Sequence, residues 1–442
     1  MAQAIATIDI YFQGQWHTAA TLTSSEAERG YSGSSELEYA IEYAAHFIGQ
    51  QVGNAARLSC RYPVDFQLHE KSTWPAFMLD ILPNGFGREH WLKHLDLNDN
   101  AHADWPLLLN GTAFPPGNMR IHEAVANRDS QLQVPSEQGE NVPLPKHPGF
   151  TLNAVLSRQE HFIEYAVQNG AYTSGASDVQ GAAPKFMLTK DAHDRWHAEG
   201  ALADEQVASH WLVKFARGRK TAADRKVLKN EAAYMVVARR LGLNVFDALL
   251  WAEDTLLIPR FDRIAVAGKP LERLAMESLC ALTGTCGYGV AIPQEDLCQA
   301  LATCATNPQK EIGEFVKRDI ANVVLGNKDN HARNSAVFRL ESGEVTLTPL
   351  FDFAPMYLDP EGISRMCRWQ GDAEIAGTPQ WKNVLIRLSE FIDVTALRAE
   401  LLSFGRQIEQ LETFMREAGV DDDIIEQRRM AIKEHSRQLL AL

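Results

Sequence analysis

Apolar and polar residues alternate from residue 5 to 23 around Ile8, Ile10 and Phe12, pause at Gln13-Gly14-Gln15, and resume through Trp16 to Leu22. A period of two on both sides of a glycine turn predicts an N-terminal β-hairpin. Residues 36–49 are read as a weakly amphipathic helix. The segment 77–94, FMLDILPNGFGREHWLKH, reads as two helices broken at Pro83-Asn84-Gly85. Its glycines suggest a phosphate loop, but no Lys-Ser/Thr follows and no strand leads in, which favours a structural turn. From about 125 to 149 the periodicity fades into a polar, proline-bearing stretch, VPSEQGENVPLPKHPG, predicted as a linker and the first domain boundary. A helix is expected over 151–168, a loop of small residues over 174–183, and a strand beginning at Pro184-Lys185-Phe186-Met187-Leu188.

Next, His210 to Ala216 has the pattern of a buried strand, and a helical run follows through Ala232, Tyr234, Met235, Val237, Ala238 and Leu241. Strands are predicted at 246–251 and 255–259, and a helical region from near Arg273. Another helix is capped at Pro293-Gln294-Glu295-Asp296-Leu297. Over 381–440 the residues Leu397, Leu401, Phe404, Ile408, Leu411 and Phe414 recur at spacings of three and four, a helical stripe of the kind that packs in a core. No internal repeat is evident.

Composition narrows the classes. A chain of 442 residues that is 45% hydrophobic can build two or three domains with sizeable cores. A net charge of −14 argues against a general nucleic-acid groove, which needs a basic field. No apolar run reaches the length of a membrane span, and the start MAQAIATIDIYFQG lacks a signal-peptide pattern. The six cysteines are scattered without a CxxC pair, so they are expected as reduced thiols in a cytoplasmic protein.

The chemistry concentrates in Ala321 to Asp352, where Asp329 is followed five residues later by Asn334, and Asp352 stands between Phe351 and Phe353. Protein kinases use this arrangement: an Asp takes the substrate hydroxyl proton, while an Asn and a later Asp hold Mg²⁺. A polar D-x-H-x-x-N loop that only caps turns would look the same. Upstream, Lys214 lies inside an apolar strand and needs a partner, which Glu231, at the start of an apolar run in the next helix, can supply. A strand lysine paired with a helix glutamate is the kinase N-lobe arrangement; a lysine snorkelling from an edge is the alternative. The loop before Lys185, including Gly181, can bring backbone N–H groups to phosphate oxygens, although it has no GxxxxGK[ST] signature.

Taken together, these pieces resemble the HipA family of Ser/Thr kinases, toxins of bacterial type II toxin–antitoxin pairs. The resemblance rests on ILPNGFGR at 81–88, VQGAAPKF at 179–186, WLVKF at 211–215, NEAAYMVVARRLGLNV at 230–245, PRFDR at 259–263, PQEDLCQAL at 293–301, GNKDNHARNSAVF at 326–338 and TPLFDFAP at 348–355. It implies an α+β, protein-kinase-like two-lobed fold: an N-terminal β/α subdomain (1–125), a linker (126–150), a β-rich N-lobe (151–263) and an all-helical C-lobe (264–442). It further implies ATP and Mg²⁺ as cofactors. Lys214, positioned by Glu231, would contact phosphates, the 258–261 segment with Pro259 and Phe261 would form the adenine-side hinge, and His331 would lie beside the nucleotide. Asp329 would be the catalytic acid, with Asn334 and Asp352 on the metal.

Family members phosphorylate a serine of an aminoacyl-tRNA synthetase and are silenced by a small helix-turn-helix antitoxin. That partner carries them to DNA, so DNA contact would come only through the complex. Three positions depart from the pattern: Asp178, preceded by Ser177, stands where the family has its inhibitory serine; Ala183 replaces a glutamine; and Pro259 replaces a glutamate. Ser177 and Asp178 are thus the candidate regulatory residues. Two alternatives remain open at this point, a catalytically weak co-repressor scaffold and a small-molecule kinase.

Overall fold

The computed structural model describes residues 3–49, 53–135, 141–143, 146–171, 184–216, 221–266, 268–359 and 362–442. The N-terminal hairpin forms as expected, with strands Ala4–Phe12 and Gln15–Ser24 joined where Gln13 and Gly14 take φ of 50° and 81°. They belong to a five-stranded antiparallel sheet completed by Ser35–Tyr39, His69–Lys71 and Met119–Ile121. The helix expected over 36–49 is only half a helix. Leu37 and Tyr39 are buried while Glu36 and Glu38 are exposed, so the period-two pattern makes residues 35–39 a strand and the helix is confined to Ile41–Phe47.

The break at 82–84 is a turn, as the sequence suggests. Helix Met78–Ile81 stops before Pro83, and Asn84 caps helix Gly85–His94 by accepting from the Gly85 N–H at 2.7 Å. The boundary expected at 125 falls inside helix His122–Gln131, which packs Ala124 into the subdomain core. The helix expected over 151–168 forms as two, Leu152–Leu156 and Glu160–Gln168, separated where Arg158 takes φ of 52°.

The N-lobe sheet has the order Leu250–Ala252, Thr255–Pro259, Val207–Phe215, Lys185–Asp191, Trp196–Ala198, all antiparallel. Against it lies the long helix Ala222–Arg240, opened by a reciprocal cap between Thr221 and Asp224. Phe186, Leu188, Val213 and Phe215 of this sheet share one continuous core with Ile8, Ile10 and Met78 of the N-terminal subdomain. The two are therefore packed together and not merely tethered.

A second core fills the C-lobe, built on helices Gln294–Cys304, Pro308–Leu325, Trp381–Leu388, Val394–Glu409, Leu411–Glu417 and Asp422–Leu440. Leu397, Leu401, Phe404, Ile408 and Leu411 of the apolar stripe are buried in it. The C-lobe is not wholly helical. A three-stranded sheet of Ala275–Ser278, Ala336–Arg339 and Val345–Leu347 frames the segment read as chemistry-bearing, and the helix expected near Arg273 starts only at Leu279. The turn between the last two strands places Gly343 at φ 91°, as its glycine suggests. No disulfide joins the cysteines among the described residues. Among the described residues, no helix is long and apolar enough to cross a membrane.

The last helix supplies a pH-dependent contact. His435 is buried, and its Nδ1 accepts from Trp381 Nε1 at 3.0 Å, which requires an unprotonated nitrogen there. Burial depresses its pKa from 6.5 to about 4. The unfolded chain therefore takes up this proton first. The stability contributed by the site is complete above about pH 6.5 and is lost as pH falls toward 4, a change on the order of 3 kcal/mol. Urea unfolding of His435→Gln across that interval should show a shallower pH slope than wild type. An unaltered slope would contradict the assignment.

Candidate active site

Lys214 lies near the end of strand Val207–Phe215 between Val213 and Phe215, both buried, and is itself only 4% exposed. An ammonium group in such a place is costly unless paired. Its Nζ donates to Glu231 Oε1 at 2.6 Å, from the facing helix, and also to Asp352 Oδ1. Lys185 sits directly opposite Lys214 on the neighbouring strand, and its Nζ lies 3.6 Å from Asp352 Oδ2. Two cations and two carboxylates thus meet between the lobes.

Burial alone would lower the Lys214 pKa, but Asp352 and Glu231 outweigh it and hold the ammonium charged. Burial would likewise raise Asp352; Lys185 and Lys214 reverse this and keep its carboxyl well below the usual range. The sequence around Asp352 explains its placement. Phe353 is fully buried against Tyr234, ring centroids 5.7 Å apart, and Phe351 packs toward Phe261 at the same spacing. With both neighbours anchored, Asp352 takes φ of 54°, a left-handed conformation rarely adopted outside glycine, Asn and Asp.

The Asp329 loop follows helix Pro308–Leu325, which ends at Gly326 with φ 77°. A Cβ there would come within 2.6 Å of the Tyr357 ring, so only glycine fits. The Asp329 N–H donates to Asn327 Oδ1 at 3.3 Å, and Asn334 Nδ2 donates to Asp329 O at 2.9 Å. His331 Nε2 lies 3.5 Å from Asp329 Oδ1. Asn334 Oδ1 is buried without a hydrogen-bond partner among the described residues. Asp329, His331, Asn334 and Asp352 line one small cavity.

A larger cleft adjoins it, sharing Leu350, Phe351 and Asp352. Leu212, Met235, Phe246, Ile258, Pro259 and Phe261 form apolar walls, and the charged lining is mixed, with Lys185, Lys214, Arg260 and Arg333 facing Asp80, Glu231, Asp247, Asp262 and Asp352. An apolar slot that ends in two lysines paired with carboxylates suits a heteroaromatic ring whose anionic groups engage those lysines. Lys185, Lys214, Glu231, Pro259, Phe261 and Asp352 therefore converge on this cleft, whereas Asp329, His331 and Asn334 border the smaller cavity. Gly181, Ser177 and Asp178 lie outside the described residues.

Residues that sequence reasoning missed also face the cleft, chiefly Asp80, Ser278 and Arg333. The signal for Asp80 was an acid inside the apolar run FMLDIL. Arg260 and Asp262 of the RFDR element, although they border the cleft, pair with each other. Arg260 reaches Asp262 at 2.7 Å and Glu199 at 3.3 Å. Arg263 donates to Gly117 O and Pro115 O at 2.7 and 3.0 Å, and the Gly117 N–H donates to Asp262 at 2.9 Å. RFDR thereby fastens the N-terminal subdomain to the inter-lobe segment.

A family model described as the HipA-like C-terminal domain matches residues 177–422, more than half of the chain. The chain belongs to the HipA family. Its fold is similar to that of HipA from the Shewanella oneidensis MR-1 toxin–antitoxin system, solved with HipB and operator DNA. That match has a TM-score of 0.62 at 17% identity and covers 99% of this chain and 96% of that one. The Helicobacter pylori proinflammatory kinase CtkA aligns with a TM-score of 0.37 at 13% identity over 60% of this chain and 90% of that one. The HipA likeness is one of fold, and it extends through the N-terminal subdomain. Within the HipA-like domain lie all four members of the charge cluster and the whole Asp329 loop.

Because Lys214 is held by Glu231 and Asp352 together, removing Lys214 leaves Glu231 buried without that cation, and removing Glu231 leaves Lys214 to Asp352 alone. Lys214→Met and Glu231→Gln should each cost about 2–4 kcal/mol in urea unfolding. The double mutant should lose less than their sum by about 1 kcal/mol or more. Strict additivity would show that the pair does not act as one unit.

Proposed function

We propose that this HipA-family chain is an ATP- and Mg²⁺-dependent Ser/Thr protein kinase acting as a toxin. The observation that carries the reading is the convergence of Lys214, Glu231 and Asp352 beside the Asp329–Asn334 loop, at the end of an apolar cleft. In this reading the adenine lies among Leu212, Met235, Phe246, Ile258, Phe261 and Leu350, which line the cleft. Lys214 and Lys185 hold phosphate oxygens, and Glu231 keeps Lys214 from collapsing onto Asp352 alone.

The donor set fits Mg²⁺. Asn334 offers an unengaged buried oxygen and Asp352 an ionised carboxylate on the same cavity, and Mg²⁺ prefers a few oxygen ligands plus water. Bound there, the ion would neutralise charge on the phosphate oxygens. Asp329 accepts the proton of the substrate serine hydroxyl as that oxygen attacks the γ-phosphorus. The bond from phosphorus to the bridging oxygen breaks, and ADP leaves with the electron pair. Asn334, bonded to the Asp329 carbonyl, fixes the loop so that base and metal ligands move together.

An aminoacyl-tRNA synthetase is the proposed substrate and growth arrest the consequence, in the cytoplasm. The fold likeness to a HipA solved with HipB and operator DNA supports a helix-turn-helix antitoxin as partner, with DNA reached through that complex. The test is transfer of labelled γ-phosphate to protein in a lysate. Asp329→Ala should reduce it by about 10²–10⁴-fold with the fold intact. Asn334→Ala should move the Mg²⁺ midpoint upward. Near-wild-type transfer in Asp329→Ala, or no transfer by the wild type, would overturn the proposal; the second result would favour a co-repressor scaffold.

A further inference from the structure

The N-terminal subdomain lies outside the matched HipA-like domain, yet Leu79, Asp80 and Ile81 form one wall of the cleft. Asp80 belongs to the short helix Met78–Ile81, whose other three residues are buried in the subdomain core. Packing therefore fixes the carboxylate in place, pointing away from that core. Asp80 Oδ1 accepts from Ser278 Oγ at 2.7 Å and from Arg333 Nη1 at 2.5 Å, while Oδ2 accepts from the Ser278 N–H at 2.8 Å.

Both partners belong to the catalytic loop or its frame. Ser278 pairs with Ala336 in the small sheet, and the next N–H, Leu279, donates to Ser335 O at 2.8 Å. Arg333 immediately precedes Asn334, and its side chain is 5% exposed. Its Nη2 donates to Gly287 O at 3.0 Å, and its guanidinium lies 5.1 Å from the Tyr288 ring. The Tyr288 hydroxyl in turn donates to Leu79 O at 3.2 Å, closing the ring of contacts back to the subdomain.

A buried guanidinium requires a carboxylate. Asp80 also faces a cleft whose proposed occupant is anionic, so it is unsuited to be a phosphate ligand. With Arg333 neutralising it, the pair contributes geometry and not attraction. We propose that Asp80 is a positioning residue for phosphotransfer, by which the N-terminal subdomain holds Arg333, and through it Asn334 and Asp329, in register with the N-lobe. This rests on the kinase reading above. Asp80 touches no reacting atom; its effect passes through Arg333. The subdomain then becomes a working part of the enzyme, because a loop displaced by about 1 Å costs on the order of 10²-fold in rate.

Two readouts on the full chain separate this proposal from the reading beneath it. Hydrogen–deuterium exchange over 327–338 does not depend on catalysis: Asp80→Asn should accelerate it about 10-fold or more, leaving Val207–Phe215 unchanged. In phosphotransfer, Asp80→Asn should lower kcat by about 10–100-fold with KM for ATP within about twofold, and Asp80→Glu should recover part of the rate. Unchanged exchange over 327–338 overturns the proposal even if kcat falls, and so does a faster-exchanging loop with unchanged kcat. If Asp80→Asn loses protection throughout, Ser278→Ala takes its place, since it removes one of the three bonds; unchanged loop exchange in that variant likewise overturns the proposal. A wild type without phosphotransfer overturns the kinase reading and the catalytic role of Asp80 together, while the exchange result still decides whether the subdomain holds the loop.

Discussion

A buried ammonium between two carboxylates sets the geometry on which the rest of the molecule depends. Lys214 comes from the N-lobe sheet, Glu231 from the helix against it, and Asp352 from the C-lobe. Each is too costly to bury alone, so the lobes must approach until the charges meet. With Lys185 the cluster holds two positive and two negative charges. A balanced cluster has no surplus cation to spend on a polyphosphate. The metal proposed at Asn334 and Asp352 supplies what the side chains lack, and this explains in electrostatic terms why Mg²⁺ belongs to the proposal.

A second buried charge network fixes what lies behind the cleft. Arg260, Asp262, Arg263 and Glu199 are all buried, and Arg263 and Asp262 bind the backbone of Pro115 and Gly117. Together with the shared apolar core, they make the N-terminal subdomain and N-lobe one packed unit. Asp80 can then act on the Asp329 loop only because its helix is part of that unit. The Asp80 contact and the charge cluster are two consequences of one arrangement: the subdomain reaches the Asp329 loop at Arg333, and the N-lobe reaches Asp352 beside it.

Much of this was legible in the sequence where one residue type violated its surroundings. A lysine within an apolar strand demands a partner, and Glu231 is the acid in reach; the structure pairs them. The spacing of Asp329, Asn334 and Asp352 likewise survived as a shared cavity. Other features depend on contacts distant in sequence, to which local patterns are blind. Asp80 meets Arg333 across 253 residues, so the FMLDIL acid could be noticed but not assigned. Residues 36–39 read as helix because a short alternating run borrows its period from the helix that follows it. The third strand of the C-lobe sheet, Ala275–Ser278, escaped because it is only four residues long and finds its partner near residue 337. The RFDR element was noticed for its resemblance, whereas its work is to fasten the subdomain.

The most direct test is a crystal structure of the full chain with a non-hydrolysable ATP analogue and Mg²⁺. The account predicts the base between Leu212 and Phe261, phosphate oxygens on Lys214 and Lys185, and the metal on Asn334 Oδ1 and the Asp352 carboxylate. It also predicts the Asp329 carboxylate open toward the γ-phosphate, with room for a hydroxyl at about 3 Å. A nucleotide bound elsewhere, or one whose phosphates avoid both lysines while Lys214 stays locked on Glu231 and Asp352, would contradict it.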